Sequence, residues 1–68
     1  MRRRNLEKDV LKILSKGNWQ EIELVTLLKE PIKHVLKKLM NMGLITKSER
    51  YGIYSITEKG RMFLKQRG

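Results

Sequence analysis

Leu6, Val10, Ile13 and Leu14 fall at i, i+4, i+7 and i+8, the stripe of a helix with one buried face. Asn5 stands where a cap belongs, and Gly17 sits where a glycine commonly follows a helix C-terminus. Leu11 lies off the stripe, about 140° from Leu6 at 100° per residue. It is expected on the surface, alone or in contact with a partner. Asn18-Trp19-Gln20-Glu21 is expected to open a second helix, with Asn18 as cap and Glu21 at N3. Ile22, Val25 and Leu28 keep helical spacing there, and Leu24 and Leu27 widen the apolar face. Trp19 is expected as a lid on the core at this corner, with base stacking as the other reading.

Lys29-Glu30 forms a short joint, and Pro31 suits the first position of a third helix because its missing N–H is not needed there. From Ile32 to Met42 the wheel divides. Ile32, Val35, Leu36, Leu39, Met40 and Met42 fall on one arc of roughly 160°. Lys33, His34, Lys37, Lys38 and Asn41 fill the other. Gly43 ends this helix. Leu44–Lys47 and Gly52–Ile56 are β-branched or aromatic runs around Ser48-Glu49-Arg50-Tyr51, the pattern of a β-hairpin with a basic tip. Thr57 is expected to cap a last helix, with Glu58 in its first turn. Met62, Phe63 and Leu64 point about 100° apart on that helix. One core cannot receive all three, which favours burial of Met62 or Leu64 against a second copy. The order of helix, helix, helix, hairpin and helix predicts an α+β domain.

Composition narrows the function. The chain has 68 residues, of which 40% are hydrophobic: enough for one small core and too many for a disordered tail. No apolar run approaches the ~20 residues of a membrane span. With no Cys, disulfides, thiolate zinc sites and thiol nucleophiles are excluded. Sixteen Lys and Arg against seven Asp and Glu give a net charge of +9, with a pI near 10.3. Such a surface attracts polyanions. Nucleic acid is the first candidate, and an anionic membrane surface or an acidic protein is the alternative. The chain also lacks Ala and is rich in Lys, Glu, Ile and Leu, a bias shared by hyperthermophiles and AT-rich genomes.

An enzyme would need parts that the sequence does not assemble. The five glycines are too far apart for a phosphate loop. Ser15, Ser48 and Ser55 have no positioned base, and the single His34 has no neighbouring ligand or triad partner. No catalytic residue, cofactor, metal or small-molecule ligand is expected.

Ile32-x3-Leu36-x2-Leu39-x3-Gly43-Leu44-Ile45 resembles the third helix and exit strand of the winged helix-turn-helix DNA-binding domains of prokaryotic transcription regulators. Tyr54-Ser55-Ile56-Thr57-Glu58-Lys59-Gly60 is similar to the closing wing strand and last helix of MarR-, PadR- and ArsR-like members, especially small archaeal ones. The resemblance spans roughly residues 6 to 66. One departure stands out: between Leu24 and Ile32 the chain is about three residues shorter than the common pattern, in which a Gly-containing turn precedes the third helix. The resemblance implies three helices, a β-hairpin wing and a C-terminal helix, as a single domain over residues 1–68.

It also implies a site. The third helix would enter the major groove, where base edges carry their full donor and acceptor code. Lys33 and Lys37 could then donate to guanine, and His34 to a base acceptor or a phosphate. Lys38 would meet phosphate, Asn41 could pair with adenine from the far end, and Lys29 would flank them. Lys47, Arg50 and Tyr51 would serve the wing, with Arg50 the best candidate for a narrow minor groove; a solvent-exposed turn is the other reading, and Glu49 beside Arg50 weakens the wing case. Arg2, Arg3 and Arg4 would form a flexible basic arm along phosphates or a groove. Leu11 with Met62 or Leu64 would join two copies. The expected protein is thus a sequence-specific, double-stranded DNA-binding regulator, cytoplasmic and nucleoid-associated. It would act as a homodimeric repressor, since no effector domain is evident. The alternative is the same fold binding RNA, chromatin or protein without sequence preference.

Overall fold

The computed structural model describes residues 5–67. The elements run α1 (Leu6–Lys16), β1 (Trp19–Gln20), α2 (Glu21–Leu28), α3 (Lys33–Asn41), β2 (Ile45–Lys47), β3 (Ile53–Ile56) and α4 (Glu58–Arg67). The strands form one antiparallel sheet in the order β1-β3-β2. The result is a small α+β domain of four helices and three strands.

The hairpin forms where the alternation places it, with Ile45 opposite Ile56 and Lys47 opposite Tyr54. The strand β1 is a departure from the sequence reading. Trp19 pairs with Tyr54 and Gln20 with Ile53, so these two residues extend the sheet rather than wind the first turn of α2. The cap moves accordingly from Asn18 to Gln20. Its N–H donates to Glu23 Oε1 at 2.9 Å, the reach-back half of a capping box two residues later than expected. Trp19 does lie half-buried against the core.

α1 starts as expected, with Asn5 Oδ1 accepting from the Lys8 N–H at 3.0 Å. Gly17 ends it in extended backbone, at φ 177°, without a left-handed cap. Leu11 must be corrected. It is fully buried, and it belongs to the core with Val10, Leu14, Leu24, Ile32 and Leu36. The reason is that α1 is the central helix, packed against α3, α4 and β3 together. A helix covered on several sides buries a wider arc than one stripe, so Leu11 has no surface left for another copy.

Between α2 and α3 the short joint is made by Lys29 in the left-handed region, φ 57° and ψ 34°, with its N–H donating to Val25 O at 2.7 Å. This residue makes the left-handed turn that ends α2. Pro31 lies before α3 rather than in it. Ile32 is the N-cap, fully buried, and its carbonyl accepts from the Leu36 N–H at 2.9 Å. Pulling Ile32 into the core turns the chain inward at the point where Pro31 would otherwise have begun the helix.

α4 is bolted to the exit of α3. The Thr57 N–H donates to Leu44 O at 3.0 Å, and Thr57 Oγ1 lies 2.7 Å from Gly43 O and 2.9 Å from Leu44 O. The same Oγ1 accepts from the Gly60 N–H at 3.1 Å, which makes Thr57 the cap. Gly60 is buried so tightly that a Cβ there would collide with the Leu44 carbonyl. Of the three divergent side chains, Phe63 and Leu64 pack half-buried on the core. Met62 stays 54% exposed. The chain's own core thus takes two of the three directions, leaving Leu64 little to offer a second copy. Among the described residues, no helix is long and apolar enough to cross a membrane.

Candidate nucleic-acid interface

The division of α3 that the wheel predicts holds from Val35 to Leu39, while Met40 is half-buried and Met42, past the helix end, is exposed. Val35, Leu36 and Leu39 are buried, whereas Lys33, His34, Lys37, Lys38 and Asn41 are all exposed on one outward face. Nothing acidic lies in the first turn, so the positive end of the helix dipole adds to the lysine charge instead of being neutralised. Lys33 and Lys37 stand at i and i+4, a like-charge pair that costs a few tenths of a kcal/mol. Among the described residues, neither has a carboxylate partner. The surface that results holds uncompensated cations on a rigid, core-anchored cylinder.

Lys38 is different. Its Nζ lies 2.9 Å from Glu7 Oε2, so a residue expected on phosphate is tied across to the start of α1. The pair is solvent-accessible, with side chains 60% and 38% exposed, and can open toward a competing anion at small cost. Glu7 escaped the sequence reading because it lies 31 positions away and no local pattern links the two.

Lys29 is exposed in its left-handed turn, four positions ahead of Lys33. Its backbone is fixed by the Val25 hydrogen bond, so the ammonium projects from a defined stem.

The hairpin tip is ordered by Ser48. Its N–H donates to Ile53 O at 2.8 Å, and its carbonyl accepts from the Gly52 N–H at 2.7 Å. Ser48 Oγ also lies 3.4 Å from the Tyr51 N–H. Gly52 closes the turn at φ 64°, a left-handed position where a glycine carries no Cβ penalty. Arg50, Tyr51 and Lys47 are exposed as expected. The Arg50 guanidinium carbon sits 5.5 Å from the Tyr51 ring centroid, and Lys47 Nζ 5.6 Å from that of Tyr54, both within cation–π range. These contacts hold the cations close to the hairpin while leaving their charge in solvent. Gln20 Nε2 donates to Tyr51 O at 3.3 Å, tying the tip to the start of α2. Neither Gln20 nor Ser48 figured among the sequence candidates, since a tip-anchoring role follows from the register of β1 on β3.

Lys33, His34, Lys37 and Asn41 thus share the helix face, and Lys47, Arg50 and Tyr51 share the hairpin. Arg2, Arg3 and Arg4 lie outside the described residues. Among the described residues, no group of His, Cys, Asp or Glu could hold a metal ion. Comparison with known proteins finds no matching family model, curated protein or solved structure, so the case for what this face binds is the chemistry of its own side chains.

Proposed function

We propose that the protein is a winged-helix regulator that binds double-stranded DNA, with α3 in the major groove and the β2–β3 hairpin on the flanking backbone or minor groove. The observation that carries this reading is the face of α3: the like-charged Lys33 and Lys37 without a carboxylate partner on one side, and Val35, Leu36 and Leu39 buried on the other. A lysine surface kept only for solubility would be interleaved with carboxylates. Here the missing counter-charge is what a phosphate backbone supplies.

The element order supports the same reading. A two-residue strand between the first two helices pairs with the far arm of a hairpin that follows the third helix. α3 packs against α1 and against β2, which sets the hairpin beside it. Lys33, His34 and Lys37 lead the helix and are assigned to base edges and nearby phosphates, with Asn41 on an adenine near the far end. Lys29 and Lys38 are assigned to backbone phosphates, and Arg50 to the minor groove. Two copies would read half-sites about one helical turn apart, and occlusion of a promoter is the mode of repression proposed.

The test is fluorescence anisotropy on duplexes recovered by selection from a random pool, over a salt series. With six to eight phosphates neutralised, log K falls against log[salt] with a slope of roughly −5 to −7. Substituting Lys33 and Lys37 together with Ala is expected to make that slope shallower by about 1.8, at about 0.9 per lost contact. A preference above about 10³ for the selected sequence over random duplex and hairpin RNA supports the regulator. Equal binding to all three would instead make the protein a general nucleic-acid coat. A slope near zero, or an unchanged double variant, would overturn the assignment of α3.

A further inference from the structure

Among the described residues, one helix carries no cation of its own. α2 carries Glu21 and Glu23 and no Lys or Arg along its whole length. It also displays two large apolar side chains, Ile22 at 68% and Leu27 at 53% exposure. With Trp19, Glu23 and Thr26 they line a cleft of about 350 Å³. A cleft that is apolar at its floor and acidic at its rim fits an apolar side chain flanked by positive charge.

The chain carries such an element itself. On α4, Met62 is the one large apolar side chain turned outward, at 54% exposure among the described residues. Lys59, Arg61 and Lys65 stand exposed around it and outnumber the one carboxylate beside it on α4, Glu58. Methionine is unbranched and polarizable, the side chain best able to fill an irregular cleft. The two features lie apart. α2 packs on β1, at one edge of the sheet, while α4 departs beside Leu44, next to the opposite edge. No residue lines both the α2 cleft and the surroundings of Met62.

We infer that copies of this chain associate head to tail, Met62 of one copy entering the Trp19–Ile22–Leu27 cleft of the next, with Lys59, Arg61 and Lys65 facing Glu21 and Glu23. Because the two faces lie at opposite edges of the sheet, a single pair of copies does not satisfy both contacts at once, and the contact is heterologous. It replaces the paired contact expected through Leu11, which is buried. The net charge of +9 does not forbid it. At physiological salt the screening length is about 8 Å. The radius of gyration is 11.3 Å, so the centres of touching copies lie well beyond that length while the pairs at the contact lie within it. On duplex DNA such an array would register on direct rather than inverted repeats.

The experiment is sedimentation equilibrium of the full chain without nucleic acid, at about 0.15 M salt and concentrations up to about 1 mM. Wild type is expected to associate progressively with no closed end point. Met62→Ser, and separately the pair Ile22→Ser and Leu27→Ser, are each expected to weaken association at least about tenfold, equivalent to about 1.4 kcal/mol. All three positions are exposed, and matched melting curves check the fold. If the α2 pair unfolds, Thr26→Arg on the same rim takes its place. The decisive sample is an equimolar mixture of the α4 and α2 variants. One retains the cleft and the other retains Met62, so the mixture is expected to form a one-to-one pair and stop there. A wild type that stays monomeric at about 1 mM, a variant on either face that associates like wild type, or a mixture that forms no pair overturns the inference. Since no DNA is present, these outcomes are independent of those that decide the DNA-binding proposal.

Discussion

Glu7→Gln isolates the electrostatics of the proposed interface, because it removes one charge without touching α3. Lys38 Nζ and Glu7 Oε2 are 2.9 Å apart. Two unit charges at that distance interact by about 1.4 kcal/mol at the dielectric of water. With both side chains substantially exposed, ordering and salt reduce the net value to roughly 0.5 kcal/mol. Glu7 also sits in the first turn of α1, where a carboxylate favours the helix dipole by a few tenths of a kcal/mol. The variant should therefore lose at most about 1 kcal/mol of stability, with a melting point lower by up to roughly 4–8 °C. DNA binding should move the other way. Lys38 is released to meet a phosphate, and a carboxylate that repels the backbone is gone. Lys38 reaches a phosphate in the wild type only by giving up Glu7, so the variant keeps the number of contacts and recovers the cost of opening the pair: roughly 0.5–1 kcal/mol, about a two- to fivefold gain in affinity near 0.1 M salt. Anisotropy titrations on one duplex read the affinity, and a melt on the same samples reads the stability. An affinity equal to wild type would refute the reasoning: the anion would then not reach Lys38.

The fold offers further checks. Leu11→Ala is expected to cost about 2–5 kcal/mol in urea unfolding, whereas a surface leucine would cost little; a loss below about 0.5 kcal/mol would contradict the central place of α1. Gly60→Ala is expected to destabilise by more than about 1 kcal/mol, since the added methyl meets the Leu44 carbonyl in the backbone and not a flexible side chain. Unchanged stability would show that α4 does not seat there. Lys29→Gly is expected to raise the melting temperature by relieving a left-handed backbone, while lowering DNA affinity by the loss of one cation. Affinity equal to wild type would remove Lys29 from the interface.

The elements legible from the chain were those whose pattern is local. The stripe of α3 and the alternation of the hairpin each need only neighbouring residues to declare themselves, and both stand where they were expected. The cap of α4 at Thr57 follows equally from one residue type in one position. What could not be read depended on distant partners. Trp19 and Gln20 suit a helix start, and only the presence of β3 alongside makes them a strand. Leu11 looks peripheral on a wheel drawn for one buried face, and becomes central because α3, α4 and β3 surround α1 together. Pro31 has the right chemistry to begin a helix, yet the burial of Ile32 delays it by two residues. For the candidate site the same boundary holds. The residue types on the α3 face were legible, but the capture of Lys38 by Glu7 was not, because a pair 31 residues apart leaves no trace in periodicity.

The placement of Lys29 links the shortened joint to the face it precedes. A lysine in the left-handed region pays roughly 1–2 kcal/mol that glycine avoids, and Gly43 and Gly52 show that the chain uses glycine at two other positive-φ positions. A turn built only for compactness would be expected to use it here as well. Strain retained at a single position is a reason to look for what the side chain does. What this side chain does is extend the row of Lys33 and Lys37 by one further cation, from a backbone fixed by the Val25 hydrogen bond. Under the proposed DNA-binding reading, Lys29 adds a cation at the leading end of α3, and its left-handed backbone is stability given up for that charge.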